Sequence, residues 1–306
     1  MAIKKLYIIG NGFDMQHGIK SKYSDFREYI ETKDERLKAK LEEYFDSDVL
    51  WSNFEEALAD LDTEQIVEEC SDYLYSYDTE DWSDSYNHDY QYELQQRINL
   101  ITNILKQHFT EWILQLEIPE NAEENMVIID RGSKFINFNY TDTLEQLYKI
   151  AQHQIFYIHN KAINTESTLI LGHSRIPQET KKTDDEDYDV RVAEGNQILN
   201  KYFADTYKST ETIIKENTIF FSGLNTIETI YVFGHSLSVV DRPYFEEIIK
   251  HINKEEVTWK VSFYSKTSIS GFEKFFQELG IDLALVEFDR MYNFDKEQLE
   301  LFPKDK

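Results

Sequence analysis

The apolar residues of this chain fall into short runs of β-formers separated by longer stretches with helical spacing. The first run, Lys5-Leu6-Tyr7-Ile8-Ile9, ends in Gly10-Asn11-Gly12-Phe13-Asp14. Comparable runs recur at Met126–Ile129, Lys134–Phe138, Ile155–Ile158, Thr168–Leu171, Thr229–Phe233, Thr258–Tyr264 and Leu283–Phe288. Between them the spacing changes to threes and fours. Trp51, Phe54, Leu58 and Leu61 mark one helical face. Leu94, Ile98, Ile101, Leu105, Phe109, Trp112 and Leu116 predict one long amphipathic helix. Ser24 or Asp25 suits the start of a helix through Tyr29 and Ile30, and Thr141 or Asp142 the start of one through Leu144, Leu147 and Ile150. Residues 193–217 and Gly271–Leu279 also read as helical, and Asp241 with Pro243 fits the first turn of a helix running to about Ile252. Tyr73–Tyr92 has no period and reads as a loop, as does the acidic run Asp184–Asp187. The alternation predicts an α/β fold: a Rossmann-like, mainly parallel, doubly wound sheet in a single domain over 1–306, with a large helical insertion over 34–125.

Composition narrows the function classes. With 306 residues, 20 Tyr and 20 Phe, the chain has ample material for a core. Its one cysteine, Cys70, excludes an internal disulfide framework and a Cys-rich zinc site. No apolar run is long enough to span a bilayer, and the first residues lack a signal-peptide pattern, so a cytoplasmic protein is expected. The net charge is −26, and residues 41–96 carry no Lys or Arg at all. That disfavours direct nucleic-acid binding and anionic membranes. The acidic stretch reads as a solvated helical surface, with docking to a basic protein partner as the sharper alternative. Apolar positions on these helices leave a homo-oligomer open.

In an open parallel sheet the carboxyl ends of the strands converge on one crevice. Here those ends carry Asn11 and Asp14, Asn139, His159, and His235 with Ser236, and His173 marks a fifth such end. Gly10 and Gly12 are expected to take positive φ and let a ligand approach, and a helix starting near Asp14 would turn free N–H groups toward an anion. Each has a plainer explanation. The glycines serve tight turns, Asn139 bonds its own backbone, Asp14 caps a helix, and a strand-end histidine is a structural hydrogen-bonder. No His-x-x-x-His or paired carboxylate spacing supports a metal. There is no Gly-x-Ser-x-Gly elbow and no P-loop, and Cys70 lies in the helical block.

Several motifs together carry a family resemblance. Ile9-Gly10-Asn11-Gly12-Phe13-Asp14, Tyr23-Ser24-Asp25-Phe26, Asn137-Phe138-Asn139-Tyr140-Thr141-Asp142, Tyr157-Ile158-His159, Gly172-His173 and Gly234-His235-Ser236-Leu237-Ser238-Val239-Val240-Asp241 resemble the AbiH family of bacterial abortive-infection proteins. One departure stands out: the family usually has glycine after the strand-end histidine, where this chain has Asn160. That family is in turn similar, more remotely, to the sirtuin-type NAD-binding fold. The comparison implies a defence protein with NAD as substrate or ligand and no metal. It implies Asn139, His159 and Asp14 as catalytic residues, and Gly10, Asn11, Gly12, Phe13, Asp25, Arg27, Gly234, His235, Ser236 and Leu237 as nucleotide-binding. The sirtuin zinc cysteines have no counterpart, which fits NAD hydrolysis better than deacylation. Three alternatives remain open: a nucleotide sensor without turnover, an acidic interaction module, and a hydrolase of another nucleotide or nucleic acid.

Overall fold

The computed structural model describes residues 3–76, 88–119, 125–177 and 189–294. The chain forms two compact units. One comprises Met1–Lys22, Ile113–Leu169 and Ser209–Lys306, and the other Tyr23–Trp112 and Ile170–Lys208.

The first unit is built on six parallel strands: β1 (Lys5–Ile9), β2 (Lys134–Asn137), β3 (Ile155–Tyr157), β4 (Thr229–Phe233), β5 (Thr258–Ser262) and β6 (Val286–Asp289). Their spatial order is β3-β2-β1-β4-β5-β6. The chain therefore lays down β1, β2 and β3 in one direction, then returns to build β4, β5 and β6 on the other side of β1. The β1–β4 boundary is the topological switch point, the place where such sheets open a crevice. The α/β, Rossmann-like, parallel architecture expected from the sequence is the one observed.

Both faces of the sheet are covered, which explains why strand residues alternate between two apolar environments. On one face Tyr7 stacks on Tyr231 with ring centroids 4.6 Å apart and on Phe135 at 5.2 Å. Phe13, Leu144, Tyr148 and Phe294 pack over that layer. On the other, Trp259 meets Phe245 and Phe276, and Phe245 meets Phe275. Burial of each such ring contributes on the order of 2–3 kcal/mol.

Two of the apolar runs are not strands. Met126–Ile129 packs Val127 and Ile129 into the core, but its backbone is satisfied by tyrosine hydroxyls. Val127 N–H donates to Tyr148 Oη at 3.0 Å and Asp130 N–H to Tyr7 Oη at 3.2 Å. Thr168–Leu171 joins no ladder either. The peptide of His173 instead makes an isolated parallel bridge with Tyr207 inside the second unit. The strand-end reading of His173 is therefore corrected. β5 stops at Ser262, and a 3-10 turn, Leu283–Leu285, precedes β6.

The second unit is helical. The helix predicted through Leu94 to Leu116 runs as Asp89–Asn99, a π-helical turn at Leu100–Ile104, and Leu105–Leu114. Its start also corrects the loop reading of Asp89–Tyr92; residues 77–87 and the acidic run Asp184–Asp187 lie outside the described residues. The stretch read as residues 193–217 is two helices, Val190–Asp205 and Thr210–Glu216, the second belonging to the first unit. Carboxylates of the acidic stretch draw their countercharges from outside it. Glu69 accepts from Lys40 at 2.8 Å and from Arg97 at 3.1 Å, Glu42 from Arg27, Asp60 from Arg175, and Glu55 from the buried Lys208 at 2.7 Å. Cys70 is buried, and burial pushes its thiol up to about 11, which keeps it protonated and inert.

Candidate functional site

The carboxyl ends of β1 and β4 are joined through glycine. Gly10 N–H donates to Phe233 O at 2.9 Å, and Gly12 N–H donates to Gly234 O at 2.8 Å. A Cβ on Gly10 would lie 2.6 Å from His235 Cα, and one on Gly12 would lie 2.8 Å from Gly234 Cα. Only bare backbone lets the two turns pass so closely. Positive φ, expected at Gly10 and Gly12, is found instead at Gly234, with φ 68°. The helix after β1 is short, Asn11–Gln16. Its Gly12 and Phe13 N–H groups already donate to Gly234 O and Gly10 O, so the anion-facing donors expected there are partly consumed. Asn11 ties the same turn down by donating from Nδ2 to Ser21 O at 2.8 Å. Phe13 is core, and Ser236 is exposed.

Asp14 falls inside the first helical turn rather than at a cap, and it is 1% exposed. The Thr141 hydroxyl donates to its Oδ2 at 2.6 Å and the Thr143 hydroxyl to its Oδ1 at 2.8 Å. Burial pushes the carboxyl up to about 6, while Thr141, Thr143 and Asn139 pull it down and the nearby Asp142 charge adds to the rise. Asn139, from the turn after β2, is held from both ends. Its N–H donates to Asn137 Oδ1 at 3.0 Å, and its Nδ2 donates to Gly10 O at 3.1 Å. The β1 and β2 turns are thus cross-linked through Asp14 and Asn139. The helix predicted after them runs Thr143–Tyr148 with Asp142 at its cap position, but neither Thr141 nor Asp142 caps it by a side-chain bond.

The most concentrated chemistry lies between β3 and β4. His159 follows β3, His235 follows β4, and both are buried. Between them stands Asp241, also buried. Its Oδ1 lies 3.8 Å from His159 Nε2, and its Oδ2 lies 3.4 Å from His235 Nε2. Phe138 presents its ring to both histidines at near-perpendicular angles, with centroids 5.4 Å from His159 and 4.3 Å from His235. Tyr140 lies against His159 at 6.0 Å. Two residues beside the histidines have left-handed backbone. Asn160 has φ 65° and donates from Nδ2 to Thr168 O, and the buried Leu237 has φ 55°. The first stands where the sequence resemblance expects glycine, and a left-handed backbone is what glycine would serve there. Asn is the side chain that best tolerates this conformation after glycine.

A cleft of about 230 Å³ is lined by Ile113, Leu116, Ile118, Tyr140, Thr141 and Asp142, and Tyr140 links it to His159. Among the described residues no group of three or more His, Cys, Asp and Glu is arranged to hold a metal ion.

The first unit therefore brings together Asp14, Asn139, His159, His235 and the glycine turns. Asp25 and Arg27 lie in the second unit on the helix Tyr23–Lys33, where Arg27 donates to Glu42 at 2.7 Å. His173 is buried in the second unit. His17, whose sequence context gave no role, is a core histidine. Its Nδ1–H donates to Phe13 O at 2.7 Å, and it accepts from Tyr148 Oη at 2.6 Å. Sequence reasoning missed Asp241, Thr141 and Thr143 as site residues. Asp241 reads as a helix start and does hold that position, but its side chain makes no capping bond. The available signal was a carboxylate six residues after a strand-end histidine, on the far side of one tight turn.

A family model described as "Bacteriophage abortive infection AbiH" matches residues 6–263. No curated protein and no solved structure matches the chain. The match spans β1 to just past β5 and takes in every residue of the cluster described above. The chain belongs to the bacteriophage abortive-infection AbiH family.

Proposed function

We propose that this abortive-infection protein binds NAD, or a closely related nucleotide, at the carboxyl edge of β1–β4 and hydrolyses its nicotinamide–ribose bond. The observation that supports the reading is the His159–Asp241–His235 cluster, formed by residues that follow β3 and β4, in the same unit as the β1–β4 switch point where Asn139 bonds the β1 turn.

The chemistry suits these side chains. Cleavage of an N-glycosidic bond builds positive charge on the ribose. The electron pair of the breaking C–N bond returns to the ring nitrogen of nicotinamide, so that leaving group needs no proton. Water supplies the hydroxyl to the ribose carbon, and its proton goes to a base. His159 is that base in this reading. Asn139 orients the water or a ribose hydroxyl through its amide oxygen, its Nδ2 being held by Gly10 O. Asp14 has both oxygens bonded to threonine hydroxyls, so it acts by holding the β2 turn in place. Gly10, Gly12 and Gly234 let the β1 and β4 turns close on each other at this edge. The cleft along Tyr140 offers an apolar wall and a polar rim for a flat ring.

The test is incubation of the purified chain with NAD and chromatography for nicotinamide and ADP-ribose, alongside Asn139→Ala and His159→Ala chains checked for folding. Product lost in both variants supports the reading. Absence of both product and binding in the wild type refutes it. One observation favours a second reading, a nucleotide sensor without turnover: Asn139 and Asp14 are already engaged in internal bonds. Binding that persists in both variants with no product in the wild type would select it.

A further inference from the structure

The side chain of Asp241 departs from the use its position invites. It stands at the cap position of the helix Arg242–His251, with Pro in the first turn, and its side chain makes no cap bond. A carboxylate cap stabilises a helix start. Here that stabilisation is forgone, and the carboxyl group is 7% exposed between two imidazoles.

The two imidazoles are not equivalent. Leu237 N–H donates to His235 Nδ1 at 2.9 Å. An imidazole nitrogen that accepts an N–H carries no proton, so neutral His235 holds its proton on Nε2, the atom 3.4 Å from Asp241 Oδ2. The same turn carries a left-handed backbone at the buried Leu237, with φ 55°. With one nitrogen on Leu237 and the other facing Asp241, His235 is fixed against the carboxylate. His159 meets the other carboxylate oxygen. Catalytic hydrogen bonds are often this long before a ligand closes the site. The titratable groups facing His159 are Asp241 from the helix start, His235 from the β4 turn, and the phenols Tyr140 and Tyr244, whose ring centroids lie 6.0 and 6.2 Å away. Asp241 is the one carboxyl group among these.

We propose that Asp241, anchored by His235, is a positioning residue that holds His159 in register and raises its affinity for a proton. His235 is then the anchor of the carboxylate, and His159 the imidazole that the carboxylate acts on. The arrangement stands without NAD turnover. Only its consequence for rate rests on the glycohydrolase reading.

The test is ¹⁵N-resolved NMR of the histidine side chains of the intact chain, with resonances assigned through His159→Ala and His235→Ala. The expected wild-type result is His235 as the Nε2–H tautomer. In Asp241→Asn, His159 is expected to bind its proton about tenfold more weakly, and Asp241→Glu is expected to recover part of that loss. His235 found as the Nδ1–H tautomer, or proton affinity at His159 unchanged in Asp241→Asn, overturns the proposal. The tautomer reading needs no Asp241 variant, so it decides the matter even where that variant does not fold. If NAD is hydrolysed, the acidic limb of the kcat profile should move with His159 in Asp241→Asn. A wild type that hydrolyses no NAD yet shows the expected tautomer and shift would refute the glycohydrolase reading alone.

Discussion

Replacing Asp14 by asparagine removes a charge from a place where burial disfavours it. The folded-state carboxyl sits at about 6, against an ordinary 3.8. The folded chain thus holds this proton more tightly than the unfolded chain, and proton binding favours folding. The group's contribution is complete below 3.8 and is lost as pH rises through 6. Between pH 8 and pH 5 these two values give the wild type about 1.4 kcal/mol of added stability from this one group. The asparagine side chain of the Asp14→Asn variant would keep the site hydrogen-bonded, because its amide can accept from one threonine hydroxyl and donate to the other. It would not titrate. The unfolding free energy of wild type relative to Asp14→Asn should therefore rise by about 1.4 kcal/mol from pH 8 to pH 5. Taking the difference cancels the many other carboxylates of this acidic chain. Urea titrations followed by tryptophan fluorescence at constant ionic strength measure it, and pH 5 stays above the pI of about 4.6. A difference that is flat with pH, or that falls as pH falls, would refute the reasoning.

Other substitutions probe the remaining joints. Gly10→Ala puts a methyl 2.6 Å from His235 Cα, against backbone that cannot give, and should cost about 2–4 kcal/mol with loss of any ligand binding, read by thermal melting and titration. Asn160→Gly keeps the left-handed turn and loses only the bond to Thr168 O, so it should change stability by less than about 1 kcal/mol; Asn160→Val should cost more than about 1 kcal/mol, and equal melting temperatures would contradict this. In the second unit, Lys208→Ala removes the buried ammonium that pairs with Glu55 and should destabilise by about 3 kcal/mol, whereas a Lys208→Met, Glu55→Gln pair should recover most of that in urea melts.

Much of the sheet was legible because its strands are short apolar runs bounded by turn residues. The β1 and β4 runs were placed to within a residue, since Leu6, Ile8, Ile230 and Val232 face one buried layer while Tyr7, Ile9, Tyr231 and Phe233 face another. Met126–Ile129 has the same composition but takes its hydrogen bonds from Tyr7 and Tyr148, partners distant in sequence. Apolar content cannot separate a ladder from tyrosine hydroxyls. Thr168–Leu171 failed similarly, because the chain passes there from one unit to the other. In the site, strand-end chemistry singled out Asn139, His159 and His235. Asp241 was hidden because a carboxylate before Arg-Pro reads locally as a helix start. Only the fold, by placing the β3 and β4 ends around it, shows which way it turns. The glycines were marked for backbone freedom and close approach; what approaches at Gly10 and Gly12 is the β4 turn.

The most direct measurement is a crystal structure of the His159→Ala chain grown with NAD. The account predicts density for the nucleotide over the carboxyl ends of β1–β4, with the nicotinamide ribose carbon within about 4 Å of the Asn139 amide and facing the space vacated by the imidazole. Nucleotide bound elsewhere on the chain, or a crevice that stays without nucleotide at concentrations where binding is measured in solution, would contradict it.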